Sequence, residues 1–136
     1  MVAKEYTGTA KTLLWRLKAD GVQEAARIMA LEIAKLLPRS LAGWILVAAP
    51  TSNRRRRQRG YDQARLIAKE LQRITGLHHF DVLRRRGEIH QVGASIEARK
   101  VQLQDAFEII NKRSIKDRSI ILVDDVVTTG DRKSVV

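Results

Sequence analysis

The chain has 136 residues, of which 44% are hydrophobic and 30% charged, a composition typical of a soluble globular protein with a single domain over 1–136. Its 26 lysines and arginines outnumber its 15 acidic residues, and the formal charge of +11 predicts anionic partners, either phosphorylated small molecules or nucleic acid. The absence of cysteine excludes disulfides, thiol catalysis and thiolate zinc sites, while short apolar runs and the lack of a secretory signal predict a cytoplasmic protein without a membrane span.

The first part of the chain alternates between helical and strand patterns. Pro38 and Pro50 end the second helix and the first strand, Asp62 is the expected cap of the third helix, and Gly76 is expected to end it. In order, the predicted elements are helices over 11–19 and 22–37, a strand over 44–49, a basic loop over 51–60 and a helix over 62–75. The third helix is expected to bury Ala64, Ile67, Ala68, Leu71 and Ile74.

Shorter elements are predicted for the remaining residues. In order, they are a strand over 79–83, an exposed basic loop over 84–94, a helix of about ten residues capped by Ser95, a strand over 106–110, a polar turn over 111–118 and a strand over 119–123. Strands that alternate with helices predict an α/β fold with a mostly parallel sheet.

The last predicted strand leads directly into a segment with two adjacent acidic residues and, after two valines, two threonines and a glycine. Asp124 and Asp125 supply carboxylates that can accept hydrogen bonds from two ribose hydroxyls. Thr128, Thr129 and the backbone N–H groups near Gly130 can donate to a 5'-phosphate. Because open α/β sheets bind ligands at the C-terminal ends of their strands, this run predicts a sugar-phosphate site. The alternative is a buried strand that ends in a solvated acidic turn.

This run resembles the phosphoribosyl pyrophosphate binding motif of type I phosphoribosyltransferases. The resemblance implies a type I phosphoribosyltransferase-like fold, a mostly parallel sheet flanked by helices, in which Asp124 and Asp125 are the catalytic acidic pair. It implies that the residues binding phosphoribosyl pyrophosphate are Val126, Val127, Thr128, Thr129 and Gly130. It also implies Mg²⁺ as a cofactor that arrives with phosphoribosyl pyrophosphate, with no metal ligand supplied directly by the protein.

Residues 50–64 narrow the resemblance to the ComF/GntX group of phosphoribosyltransferase-like proteins, which is associated with DNA uptake. In that pattern a strand ending in proline leads to an arginine-rich loop and then to Arg-Gly-aromatic-Asn-Gln, and here Asp62 stands in place of the usual Asn. Guanidinium groups pair with phosphate bidentately, so the loop could neutralise a leaving pyrophosphate. The candidates are Arg54, Arg55, Arg57 and Arg59. A solvated charge run or a nucleic-acid patch is the open alternative.

A third segment, residues 91–102, is similar to the ComF-type pattern at Gln91, Gly93, Ser95 and Arg99, and departs from it at Ala94 and Gln102. With a basic residue upstream, the candidate substrate-loop residues are Arg84, Gln91 and Arg99. A loop followed by an ordinary amphipathic helix is the alternative.

The chain departs from the family pattern at both ends. Only residues 131–136 follow the phosphate turn, so a further helix and strand are expected to be missing, and Asp131 would oppose a bound phosphate. The cysteine-rich zinc module that often precedes this domain in ComF proteins is also absent from the sequence. A truncated gene product and a fold completed by a partner chain both remain open.

The leading hypothesis is a ComF-like phosphoribosyltransferase domain that transfers phosphoribosyl to or from a nitrogenous acceptor. One alternative is a non-catalytic basic accessory protein of competence, with single-stranded DNA or competence proteins as partners. The other is an inactive truncated fragment. A homodimer is compatible with each hypothesis.

Overall fold

The computed structural model describes residues 8–19, 23–86 and 106–125, which form a mixed α/β arrangement with a small parallel sheet. The helices within these ranges are α1 (Gly8–Ala19), α2 (Gln23–Ala34), α3 (Asn53–Arg59) and α4 (Gln63–Thr75). The strands are β1 (Trp44–Ala48), β2 (Leu83–Arg85), β3 (Phe107–Ile109) and β4 (Ser119–Val123), and a 3-10 helix, Lys112–Ile115, precedes β4. None of the described helices is long and apolar enough to cross a membrane.

The parallel pair β1–β4 is the sheet that carries the candidate site. Its register runs from Trp44 opposite Ser119 to Ala48 opposite Val123, as expected from the two apolar runs. The predicted strand over 79–83 exists in part: His79 forms a parallel bridge with Leu46, and the Phe80 N–H donates to the Leu46 carbonyl at 2.9 Å. His79 and Phe80 therefore extend the parallel sheet beside β1 by a short segment.

The pair β2–β3 is antiparallel and corrects the start of the exposed loop predicted over 84–94, of which residues 87–94 lie outside the described ranges. Arg84 lies opposite Glu108, and Arg85 lies opposite Phe107. Strand β3 confirms the apolar strand predicted over 106–110. The partner of β2 lies more than twenty residues along the chain. Local composition, rich in arginine, therefore gave no sign of the pairing.

Both faces of the β1–β4 sheet are covered, because successive side chains of a strand point to opposite faces. Leu46 and Val123 pack against the helices, whose buried residues in this cluster are Leu17, Ala25, Ala26, Ala30, Ile67, Ala68 and Leu71. Ile45 and Val47 pack on the other face against Val82. A five-residue strand with both faces buried explains why β1 is an uninterrupted apolar run.

Helix α4 matches its prediction closely. The Asp62 side chain accepts from the backbone of the first turn, and Gly76 ends the helix in the left-handed conformation with φ 75°. Four of the five residues expected to face inward are buried, whereas Ile74 is 38% exposed. The helix ends one residue later, so that no further turn covers Ile74.

Helix α2 is shorter than predicted. It ends at Ala34 rather than at residue 37, and the next residues form tighter bonds, with the Leu36 N–H donating to the Ile33 carbonyl at 3.0 Å. In a continued helix the ring of Pro38 would clash with the carbonyl of Ala34, and proline also disfavours the α conformation in Leu37, so the regular helix ends at Ala34.

Residues 51–60 were predicted to be a loop, and this prediction is wrong because the segment contains α3. The Ser52 hydroxyl accepts from the Arg55 N–H at 3.3 Å, and Gly60 ends the helix with φ 79°. Arginine is a good helix former, so two caps suffice to define seven helical residues.

The helix predicted after Ser95 lies outside the described residues.

Candidate functional site

The candidate site lies at the C-terminal ends of β1 and β4. The Ala49 N–H donates to the Val123 carbonyl at 2.8 Å, so the two strands stay paired to their ends. β1 continues through residues 49–52 into the arginine-rich helix α3, and β4 continues directly into Asp124 and Asp125. The parallel register therefore brings the starts of both predicted motifs to one edge of the sheet.

Asp124 and Asp125 are half-buried at this edge. Asp124 Oδ1 accepts a hydrogen bond from the Asp125 N–H at 2.8 Å, which fixes the first side chain against the backbone of the turn. Carboxylates in this position are acceptors for hydroxyl or N–H groups of a ligand. The phosphate half of the predicted site lies outside the described residues and consists of Val126, Val127, Thr128, Thr129 and Gly130.

The helical form of α3 divides the four candidate arginines into two pairs. Residues three or four apart share a helix face, so Arg54 lies with Arg57 and Arg55 lies with Arg59. Arg54, Arg55 and Arg57 are exposed, while Arg59 is half-buried. A loop could have aimed all four guanidinium groups at one ligand, whereas a helix presents one pair at a time to a ligand on one side.

The residues that follow α3 connect three elements of the structure. The Tyr61 hydroxyl donates to the Leu17 carbonyl of α1. Asp62 Oδ1 accepts from the Arg65 N–H at 3.2 Å, and its Oδ2 accepts from the Thr51 N–H at 2.7 Å. Gln63 is only 2% exposed. The sequence predicted the cap made by Asp62 but not its bond to Thr51, which no local spacing indicates.

Arg84, predicted as a substrate-loop residue, lies on β2 and forms an ion pair with Glu108. Arg86 Nε also approaches Glu108 Oε2, at 2.5 Å. Hydrogen bonds from Arg86 and Arg84 lower the pKa of the Glu108 carboxyl. Arg84 is therefore engaged with a carboxylate of its own chain. Gln91 and Arg99, the other two substrate-loop candidates, lie outside the described residues.

A further charged group surrounds His79, for which the sequence gave no function. Its side chain is 5% exposed, and its Nε2 lies 3.6 Å from Asp81 Oδ1. Burial lowers the pKa of the His79 imidazole, opposed by the charge of Asp81 and assisted by Arg65 and Lys69. Arg65 of α4 also pairs with Asp81, so this cluster connects α4 with the segment beside β1.

Within the described ranges, no group of three or more histidine or acidic side chains is arranged to hold a metal ion. Mg²⁺ in phosphate-binding sites commonly uses one or two carboxylates together with substrate phosphates and water. Asp124 and Asp125 provide hard oxygen donors of this kind. The donor set therefore fits a metal that is bound mainly by a phosphorylated ligand.

These observations define the class of the protein as mixed α/β, with acidic residues and an arginine helix at the C-terminal edge of a small parallel sheet. The chain is similar to Competence protein F of Haemophilus influenzae, with 33% identity over 88 residues. The matched region covers 62% of this chain and 38% of that protein, so the chain spans well under half the length of this relative. No family model matches the chain, and no solved structure matches it.

Proposed function

We propose that this chain is a ComF-like phosphoribosyltransferase domain that serves DNA uptake. It binds phosphoribosyl pyrophosphate with Mg²⁺ and transfers the phosphoribosyl group to or from a nitrogenous acceptor. Two findings support the proposal. One is the similarity to Competence protein F. The other, which carries most weight, is the parallel pairing of β1 with β4, because it brings Asp124, Asp125 and α3 to one edge of the sheet.

The two halves of such a ligand need opposite chemistry. Vicinal ribose hydroxyls require acceptors, which Asp124 and Asp125 supply. Pyrophosphate requires donors and positive charge, which one pair of α3 arginines supplies through charge-assisted hydrogen bonds. We assign this role to Arg54 with Arg57 or to Arg55 with Arg59, since each pair shares a helix face.

In the reaction, a nitrogen lone pair of the acceptor forms a bond to the anomeric carbon while the bond from that carbon to pyrophosphate breaks. The sugar acquires positive charge in the transition state, which the carboxylates of Asp124 and Asp125 stabilise, and arginines of α3 stabilise the charge on the departing pyrophosphate. When bound, Mg²⁺ would supply further neutralisation of the pyrophosphate oxygens. The protein contributes positioning and electrostatic stabilisation, and no covalent intermediate is required.

Calorimetric titration with phosphoribosyl pyrophosphate in the presence of Mg²⁺ tests the ligand assignment. We expect the wild type to bind and the double variant Asp124→Asn with Asp125→Asn to bind at least tenfold more weakly, because the acceptors of the ribose hydroxyls are impaired. Asp117→Asn removes one negative charge at an exposed position and serves as the control. Absence of binding by the wild type, or equal binding by the double variant, would reject the assignment.

The exposure of α3 favours a second candidate function, a non-catalytic accessory protein that binds single-stranded DNA. Among the described residues, no acidic side chain forms an ion pair with Arg54, Arg55 or Arg57, so their charges are available to phosphates. Affinity for DNA would then fall steeply with salt, and replacing Arg54 and Arg57 by glutamine would reduce the slope of log affinity against log salt by about one to two. Weak binding to single-stranded DNA even at low salt would reject this candidate.

A further inference from the structure

The segment 51–62, here called the basic strap, is held to the rest of the structure chiefly at its ends. Its helix α3 buries none of its residues, and residues 53–58 are all exposed. The hydrogen bond that starts the helix, from Arg55 to Ser52, lies within the strap itself. Packing therefore does little to determine where α3 sits, and its position depends on how the two ends are fixed.

One carboxylate joins the two ends of the basic strap. Asp62, at the exit, accepts the Thr51 N–H through Oδ2 at 2.7 Å, and Thr51 is the first residue of the strap. Through Oδ1 the same side chain accepts the Arg65 N–H in the first turn of α4 at 3.2 Å. Tyr61 adds a bond from its hydroxyl to the Leu17 carbonyl of α1. The strap is thus a closed loop attached to two helices.

Both bonds of Asp62 need an acceptor, because both partners are backbone N–H groups. A carboxylate has two acceptor oxygens, whereas an amide has one oxygen and an NH₂ group that can only donate. Asparagine at position 62 could therefore keep one of the two bonds and would set a donor against the other N–H group. Aspartate at position 62 therefore has a structural role beyond helix capping.

We propose that Asp62 is a positioning residue that closes the basic strap and so holds the arginines of α3 beside the C-terminal ends of β1 and β4. The closure rests on the hydrogen bonds of Asp62. Its use, to keep a pair of guanidinium groups in place for pyrophosphate, rests on the proposed function.

Limited proteolysis with trypsin tests the closure directly, since trypsin cleaves after arginine and cleavage within a helix requires local opening. Asp62→Asn is expected to raise the rate of cleavage after the arginines of α3 about tenfold, because one charge-assisted hydrogen bond is lost. Asp117→Asn makes the same change of charge at an exposed residue with φ 56°, a conformation that asparagine tolerates, and should leave this rate unchanged. Equal cleavage of wild type and Asp62→Asn would overturn the proposal.

Amide hydrogen exchange in the wild type supplies a second test that does not depend on the folding of a variant. Slow exchange of the Thr51 N–H supports the closure, and exchange at the rate of an unprotected amide overturns it.

Inorganic pyrophosphate with Mg²⁺, added to the trypsin assay, separates this inference from the proposed function. Protection of the wild-type strap that is weaker in Asp62→Asn supports both. If Asp62→Asn is cleaved faster but pyrophosphate protects neither protein, the closure stands and the pyrophosphate role of α3 is rejected.

Discussion

Replacing Leu71 by alanine tests whether α4, the helix that begins at the site, depends on its buried face. Leu71 is 0% exposed and belongs to the cluster that joins α1, α2 and α4 to the sheet. The substitution removes three carbon atoms, whose transfer from water contributes about 2.4 kcal/mol at about 0.8 kcal/mol each. The cavity left between well-packed helices adds about 1 kcal/mol, for a total near 3 to 4 kcal/mol.

Urea unfolding followed by circular dichroism measures this loss of unfolding free energy. Leu31→Ala is the matched control, because Leu31 also lies in a helix but is 42% exposed. It should cost about 1 kcal/mol, since less apolar area returns to water and no closed cavity forms. Leu71→Ala should also lower the melting temperature by about 12 to 16 °C, at roughly 4 °C per kcal/mol. Equal costs for the two substitutions would refute the assignment of the core.

Three further predictions concern charge and backbone conformation. The pKa of His79 is lowered below its ordinary value of 6.5, so the unfolded chain binds the proton more readily and stability falls as pH drops from 6.5 through the lowered pKa. His79→Gln should flatten this part of the curve in urea unfolding at a series of pH values, and an unchanged slope would contradict the argument. The pKa of Glu108 is lowered below 4.5 by its bonds to Arg86 and Arg84. The stability that these bonds contribute is therefore present above pH 4.5 and is lost as the pH falls through the lowered pKa. Glu108→Gln should remove that acid-side loss in the same titration, whereas a wild-type profile would show that the two arginines contribute nothing. Gly60→Ala should cost about 1 kcal/mol at φ 79°, although an added Cβ meets no atom within 4 Å, and a neutral result in thermal melts would show that the left-handed cap is not retained.

The parts of the fold that were predicted correctly are those with a local cause. β1 and β4 are apolar runs long enough for buried strands, and α4 combines a regular apolar stripe with a cap at each end. Each of these signals lies within the element that it specifies. The position of Asp124 and Asp125 beyond β4 followed from the same reasoning, because the strand that precedes them is easy to recognise.

Helix α3 escaped prediction because it has no apolar stripe. Hydrophobic periodicity detects helices that pack against something, and α3 buries none of its residues. The signals that were available are its caps, since Ser52 and Gly60 bracket seven residues of high helix propensity. An arginine run is therefore better tested for caps at its ends than assigned to a loop by its charge.

Long-range contacts explain the remaining differences. The bond from Thr51 to Asp62 spans eleven residues, and the pairing of Arg84 with Glu108 spans twenty-four. Neither follows from a period or a motif, because a hydrogen bond between distant residues depends on how the elements pack. Both contacts bear on the candidate site. The first closes the basic strap, and the second pairs Arg84, a predicted substrate-loop residue, with Glu108.

The helical form of α3 also provides a way to distinguish binding of a small ligand from binding of a polymer. A compact pyrophosphate meets one face of the helix, so one of the pairs Arg54–Arg57 and Arg55–Arg59 should dominate its binding. A single strand of DNA, held by charge along an exposed surface, would draw on both pairs with similar weight. Substituting each pair separately by glutamine therefore discriminates between the two functions. Unequal losses of pyrophosphate affinity favour the transferase. Equal reductions in the salt dependence of DNA binding favour the accessory protein.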